Sequence, residues 1–190
     1  MEMLMHGALR RALKESLTGV GRLQESLEQQ QDGIERCINL LVEAHDQDRK
    51  VFIFAPGRSG LVAQAFCSRL VQMGLCAQIV GTMTTTCLQP GDPLILVSSS
   101  GTTRVTRFVA DIGRQYGAQL IVITGNPQSP LAQMAEVVLI VPAPFPDGEL
   151  PLSSLSEQMG WVLLDGLVVE LLQRLALPRE HIARAHPNLE

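Results

Sequence analysis

Aromatic side chains are scarce, at 4% of the 190-residue chain, and so are charges, at 18%. So few rings leave no platform on which nucleic-acid bases could stack. Lys and Arg number 15 against 19 Asp and Glu, a formal net charge of −4, and no basic face is expected that could hold a nucleic-acid backbone. Nucleic acid is therefore excluded as a partner. Cysteine is limited to Cys37, Cys67, Cys76 and Cys87. No pair forms C-x-x-C, and none stands near a His at metal-ligand spacing. All four are expected to be buried thiols in a reducing compartment, and no metal or other cofactor is expected. No apolar run reaches the roughly 18 residues that a membrane span requires. Met3, Leu4 and Met5 precede Arg10, Arg11 and Lys14, the reverse of a secretory signal. A cytoplasmic protein with no membrane partner is the expectation.

What is present is a globular chain. Apolar residues make up 46%, too many for disorder. The length suits one domain that buries about 70% of its unfolded surface without a disulfide or metal staple. Leu9, Leu13, Leu17, Val20, Leu23 and Leu27 recur every three or four residues, one stripe on a helix over 8–28. Gly19 and Gly21 weaken that helix by about 1 kcal/mol each. The stripe has few partners within a compact sheet domain and is expected to be an oligomer contact, with an ordinary covering helix as the alternative. Residues 29–33 break the pattern, and a second helix holds Ile34, Ile38, Leu41 and Val42.

From residue 51 short apolar runs alternate with helical stretches. The runs are 51–55, 77–80, 94–97, 120–123 and 137–141. The helical stretches lie before Met73, around Val105, Phe108, Val109 and Ile112, over about 129–135, and over about 154–175, with a short one after it. Continuous rather than alternating apolar runs predict strands covered on both faces of a parallel sheet. The order strand, helix, strand implies right-handed crossovers and a doubly wound, three-layer α/β domain, and ligands bind outside the carboxyl ends of such strands.

Two loops follow predicted strands and open predicted helices. One is Gly57-Arg58-Ser59-Gly60; the other is Ser98-Ser99-Ser100-Gly101-Thr102-Thr103. Unpaired amides and the positive dipole of a helix N-terminus, hydroxyl donors, and glycines that let the backbone approach closely together suit an anion, best a phosphate monoester. Neither loop contains Lys or matches the Walker or dinucleotide patterns, which argues against an NTPase or a dinucleotide enzyme. The plainer reading is that Ser59 and Ser100 only cap helices. Glu157 is either the acid of a capping box, Ser154-Leu155-Ser156-Glu157, or a general base at a pocket rim. Arg69 reaches a substrate group or makes an ordinary salt bridge, and Arg104 and Arg107 read as a solvated helix face. His6, His45, His181 and His186 all lie in polar surroundings.

The segment 55–60, the Ser/Gly/Thr loop, and Thr124 followed by Ser129-Pro130-Leu131-Ala132 resemble a SIS domain, the sugar-isomerase phosphosugar-binding fold. Val80-Gly81 with Thr84-Thr85 and Gly91-Asp92, the run from Pro151-Leu152 to Glu157, and His186-Pro187-Asn188-Leu189-Glu190 resemble segments of the 6-phospho-3-hexuloisomerases. This resemblance implies a SIS domain over 34–190 with a five-stranded parallel sheet, preceded by a helical arm over 1–33. It implies a phosphosugar isomerase that interconverts D-arabino-3-hexulose 6-phosphate and fructose 6-phosphate in formaldehyde fixation, working as a homo-oligomer, dimer or tetramer. It assigns Ser59, Ser98, Ser100 and Thr103 to the phosphate, matches Arg69 to a family arginine, and makes Glu157 the base and His186 a second catalytic group; Arg58, turned inward, and Ser99 join the substrate-binding set from the loops' own chemistry. The chain departs from the family pattern at Gln72, Thr82, Met83, Ser99, Thr102 and Ser156. A non-catalytic phosphosugar sensor and another isomerase on the same fold are the alternatives; the former would normally carry a DNA-binding domain.

Overall fold

Five apolar runs pair side by side, all parallel, in the order β2-β1-β3-β4-β5. The structure is a computed structural model and describes residues 6–186 and 188. In chain order the elements are α1 (Gly7–Gln29), α2 (Gln31–Asp46), β1 (Lys50–Phe54), α3 (Ser59–Gln72), β2 (Cys76–Ile79), β3 (Pro93–Val97), α4 (Arg104–Gln115), β4 (Gln119–Thr124), β5 (Val137–Ile140), α5 (Ser154–Arg174) and α6 (Arg179–Arg184). Strand order reverses between β1 and β3, and there the two Gly- and Ser-rich loops leave the sheet side by side.

Alternate strand residues feed two cores. Val51, Ile53, Ile95, Val97, Ile121, Ile123, Val137 and Leu139 face α2, α3 and α5. Phe52, Leu94, Leu96, Leu120 and Val122 face the other way, toward Ala110 of α4. The register places Phe52 beside Leu94 and Leu94 beside Leu120, one apolar row across three strands. Each fully buried side chain of this size contributes about 1.5–3 kcal/mol over its exposed state.

Some local expectations are corrected. The predicted helix at 129–135 is a single 3-10 turn, Ala132–Met134, and the residues before it bond elsewhere: the Leu131 amide donates to the Gly101 carbonyl and the Ala132 amide to Ser129 Oγ, each at 3.2 Å. Only Gln30 separates α1 from α2, so the glutamine run does not form a loop and the 33/34 boundary falls inside α2. Cys37 and Cys67 are buried, but Cys76 and Cys87 are exposed: Cys76 opens the edge strand and Cys87 lies in the loop after it. Burial pushes the Cys37 thiol up to about 12 and the Cys67 thiol up to about 11, so both stay protonated near neutrality.

The apolar stripe of α1 divides. Leu23 is buried and Leu27 partly so, whereas Leu9, Leu13, Leu17 and Val20 are exposed. The buried line is Glu15, Gly19 and Leu23. Gly19, which weakens the helix as a sequence, makes the docking possible: a Cβ there would lie 2.6 Å from Leu155 Cδ1 and 3.2 Å from Met159 Sδ of α5. On α4 the small residues Thr106, Ala110 and Gly113 turn inward, and Val105, Phe108 and Ile112 turn outward. A Cβ on Gly113 would collide with Leu94, so only the small face of α4 can approach the sheet closely.

Candidate active site

A cleft of about 430 Å³ opens at the carboxyl ends of β1 and β3. Three helix N-termini converge on it. Gly57, Arg58 and Ser59 come from the start of α3, Ser98, Ser99, Ser100 and Thr103 from the approach to α4, and Ser153, Ser154 and Glu157 from the start of α5. Three positive dipole ends favour an anion more strongly than one does.

The two loops fold by the rules their residues impose. Gly57 and Gly101 have φ of 63° and 64°, the left-handed region that glycine enters freely. Gly60 must stay small, since a Cβ would lie 2.8 Å from the Ala55 carbonyl oxygen. Behind the second loop, Ser98 Oγ accepts from the Gly101 amide at 3.2 Å and lies 3.1 Å from Thr103 Oγ1. Ser100 Oγ lies 2.9 Å from Thr102 Oγ1, and Thr124 Oγ1 donates to the Ser99 carbonyl at 3.2 Å. These hydroxyls hold the loop in shape and leave its rim to the cleft.

The capping readings do not hold. Arg58 and Thr103 occupy the N-cap positions of α3 and α4, and neither makes a side-chain capping bond. The N-cap of α5 is Ser153, so Ser154 is already inside the helix and cannot form the box with Glu157. The Glu157 carboxylate turns instead toward the cleft, where its Oε2 accepts from Arg58 Nε at 2.7 Å. The acid side chain is 12% exposed and the guanidinium 74%. A charge-assisted bond of this kind is strong for its length, though the exposed arginine limits its net contribution.

Arg58, Ser59, Ser98, Ser99, Ser100, Thr103 and Glu157 are thus brought to one cavity. Arg69 and His186 are not among the residues that line it. Arg69 is exposed on α3 and donates to Gln72 Oε1 at 2.8 Å. His186 is exposed in the turn after α6; Pro187, Leu189 and Glu190 of the same motif lie outside the described residues. Thr82 sits among Thr84 and Thr85 at 3.2 Å, an exposed hydroxyl cluster. Ser156 is buried and donates to the Pro142 carbonyl at 3.0 Å, tying α5 to the loop after β5. Sequence reasoning missed that loop's far end as a cleft wall. Pro151 and Leu152 line the cavity, and Leu152 is exposed with φ of 49°. Among the described residues no three His, Cys, Asp or Glu side chains gather as a metal-ligand set.

Comparison with known proteins identifies the family. The SIS domain model matches residues 45–163. A 3-hexulose-6-phosphate isomerase of Mycobacterium gastri is 35% identical over 150 residues, covering 76% of this chain and 75% of its own. A Methanococcus jannaschii protein, whose crystal structure infers a molecular function of 3-hexulose-6-phosphate isomerase, superposes with a TM-score of 0.85 at 26% identity, over 94% of this chain and 98% of its own. The HTH-type transcriptional regulator RpiR of Escherichia coli is 25% identical over 150 residues, 75% of this chain but only 48% of its own.

Proposed function

The chain belongs to the SIS-domain family and is a phosphosugar isomerase, and we propose that its reaction is the interconversion of D-arabino-3-hexulose 6-phosphate and D-fructose 6-phosphate, as in formaldehyde fixation through ribulose monophosphate. One observation carries this reading: a carboxylate, Glu157, stands in the same cleft as two hydroxyl-rich loops at helix N-termini.

The reaction moves a carbonyl from C3 to C2. Glu157 takes the proton from C2, and the electron pair forms the C2–C3 double bond while O3 becomes protonated. The O2 proton leaves the resulting enediol as the carbonyl reforms at C2, and Glu157 returns its proton to C3. One carboxylate above the plane of the intermediate serves both transfers, a contribution of about 10²–10⁴ in rate. Ser59, Ser98, Ser100 and Thr103 hold the phosphate, with Ser99 at the rim. Arg58 exchanges Glu157 for the phosphate when substrate enters. Binding energy at the phosphate fixes C2 and C3 against the base. His186, contributed across a subunit interface of a cytoplasmic homo-oligomer as in the family it resembles, relays the proton between O2 and O3, and Arg69 lies at the substrate's outer edge.

The test is conversion of the 3-hexulose phosphate, followed by coupled detection of fructose 6-phosphate. Turnover of about 1–10³ s⁻¹ is expected. Turnover of a different phosphosugar alone would reassign the substrate, and binding without any turnover would make the cleft a sensor.

The exposed Leu9, Leu13, Leu17 and Val20 on α1 supply the subunit contact in this reading. Leu13→Glu with Leu17→Glu is expected to shift size-exclusion elution to a smaller species. An unchanged elution volume would place the contact elsewhere.

A further inference from the structure

We propose that Glu15, far from the cleft in sequence and absent from its lining, is a positioning residue that sets the cleft's outer wall. This inference rests on the reading of the cleft as the isomerase site. Glu15 and Asp92 are the buried carboxylates among the described residues. Glu15 Oε2 accepts from two consecutive amides of the loop between β5 and α5, Glu149 N at 2.7 Å and Leu150 N at 3.0 Å. Its Oε1 is buried and has no hydrogen-bond partner. The loop is shaped around this carboxylate, since a Cβ on Gly148 would collide with Oε1. A buried acid is costly, and packing alone would favour an apolar residue here. What the acid provides is two charge-assisted bonds to one point of the backbone.

That point leads directly into the cleft. Pro151, Leu152, Ser153 and Ser154 line the cavity, and Glu157 comes one turn later. Leu152 is held at φ of 49°, a conformation that persists in a non-glycine residue only when both flanks are fixed. The downstream flank is the first turn of α5, and the upstream flank is Leu150 on Glu15. The other ties from α1 to this loop are peripheral: an exposed Arg11–Glu149 ion pair, and Arg22 stacked 3.9 Å from the Phe145 ring. Without Glu15 the turn around Leu152 keeps only its downstream tie, the Ser154 amide on the Pro151 carbonyl at 3.1 Å, and the wall shifts with its released upstream end.

Glu15→Ala is expected to lower kcat/KM about 10- to 100-fold, with kcat falling as well as KM rising, since small misplacements at a reacting centre have effects of that size. Glu15→Asp, a carboxylate too short to reach both amides, is expected to fall in the same direction and remains informative where the alanine variant does not fold. Glu15→Gln, whose carbonyl oxygen accepts the same two bonds, is expected to restore most of the loss. Hydrogen exchange at the Glu149 and Leu150 amides should quicken in the alanine and aspartate variants. Wild-type kcat and KM per folded molecule in Glu15→Asp would overturn the proposal, as would equal losses in the Gln and Asp variants. Glu157→Gln is assayed in parallel. Retained turnover there sinks the reading of the cleft itself, whereas an inactive Glu157→Gln beside a fully active Glu15→Asp removes only Glu15.

Discussion

Glu157→Gln should lose turnover by about 10²–10⁴-fold or more while binding the phosphosugar as well as the unaltered protein does. The amide fills the same space but cannot take a proton from carbon at neutral pH. Its carbonyl oxygen still accepts from Arg58, so the neighbouring backbone at Ser153–Ser154 has no reason to shift. Loss of the negative charge also weakens the hold on Arg58, now 2.7 Å from that carboxylate, so affinity for the phosphate should hold or rise slightly. Steady-state rates set beside calorimetric binding separate the two effects. A variant that turns over normally would remove Glu157 from the chemistry, and one that no longer binds would make the acid structural.

Gly101→Ala should damage both stability and binding. The left-handed backbone costs a residue with a side chain about 1–2 kcal/mol. The new methyl would also collide with Ser129 Oγ and Cβ and approach Thr124 Oγ1 to 3.1 Å, an overpacking cost of about 1–3 kcal/mol. Relief by movement pulls apart the loop that Gly101 closes through its amide bonds to Ser98. The expected result is a lower urea midpoint together with weaker phosphosugar binding. Adding Ser129→Gly should recover the steric part but not the backbone part, a pairing that a double-mutant cycle resolves. An unchanged midpoint in Gly101→Ala would show that this turn is not held as described.

The five strands could be read from the sequence because burial on both faces demands continuous apolar runs, a local signal. The cleft's inner wall could be read too, since two loops of glycines and hydroxyls, each following a strand and opening a helix, suit an anion better than capping alone does. What escaped depended on distant partners. Nothing near Glu15 in sequence announces that it meets the amides of residues 149 and 150, and Gly19 looks like a weakness until Leu155 is placed against it. Glu157 fitted a capping box by spacing, and only the true N-cap at Ser153 releases it for other work. Val105, Phe108, Val109 and Ile112 marked one side of a predicted helix, but the close approach to the sheet admits the small side of α4, and Val105, Phe108 and Ile112 stay exposed. Periodicity reports that a face is apolar, not which neighbour it meets.

Under the proposed assignment the ion pair at the cleft makes the protein a competitor of its own ligand, one guanidinium serving two acceptors in turn, the resident acid and the incoming ester. Under the proposed assignment an ester must displace that acid to enter, and the acid recaptures the guanidinium as the product departs. Part of the attraction at entry is thereby surrendered, and in exchange the exit barrier is lowered, which suits a catalyst whose substrate and product carry the same anionic handle.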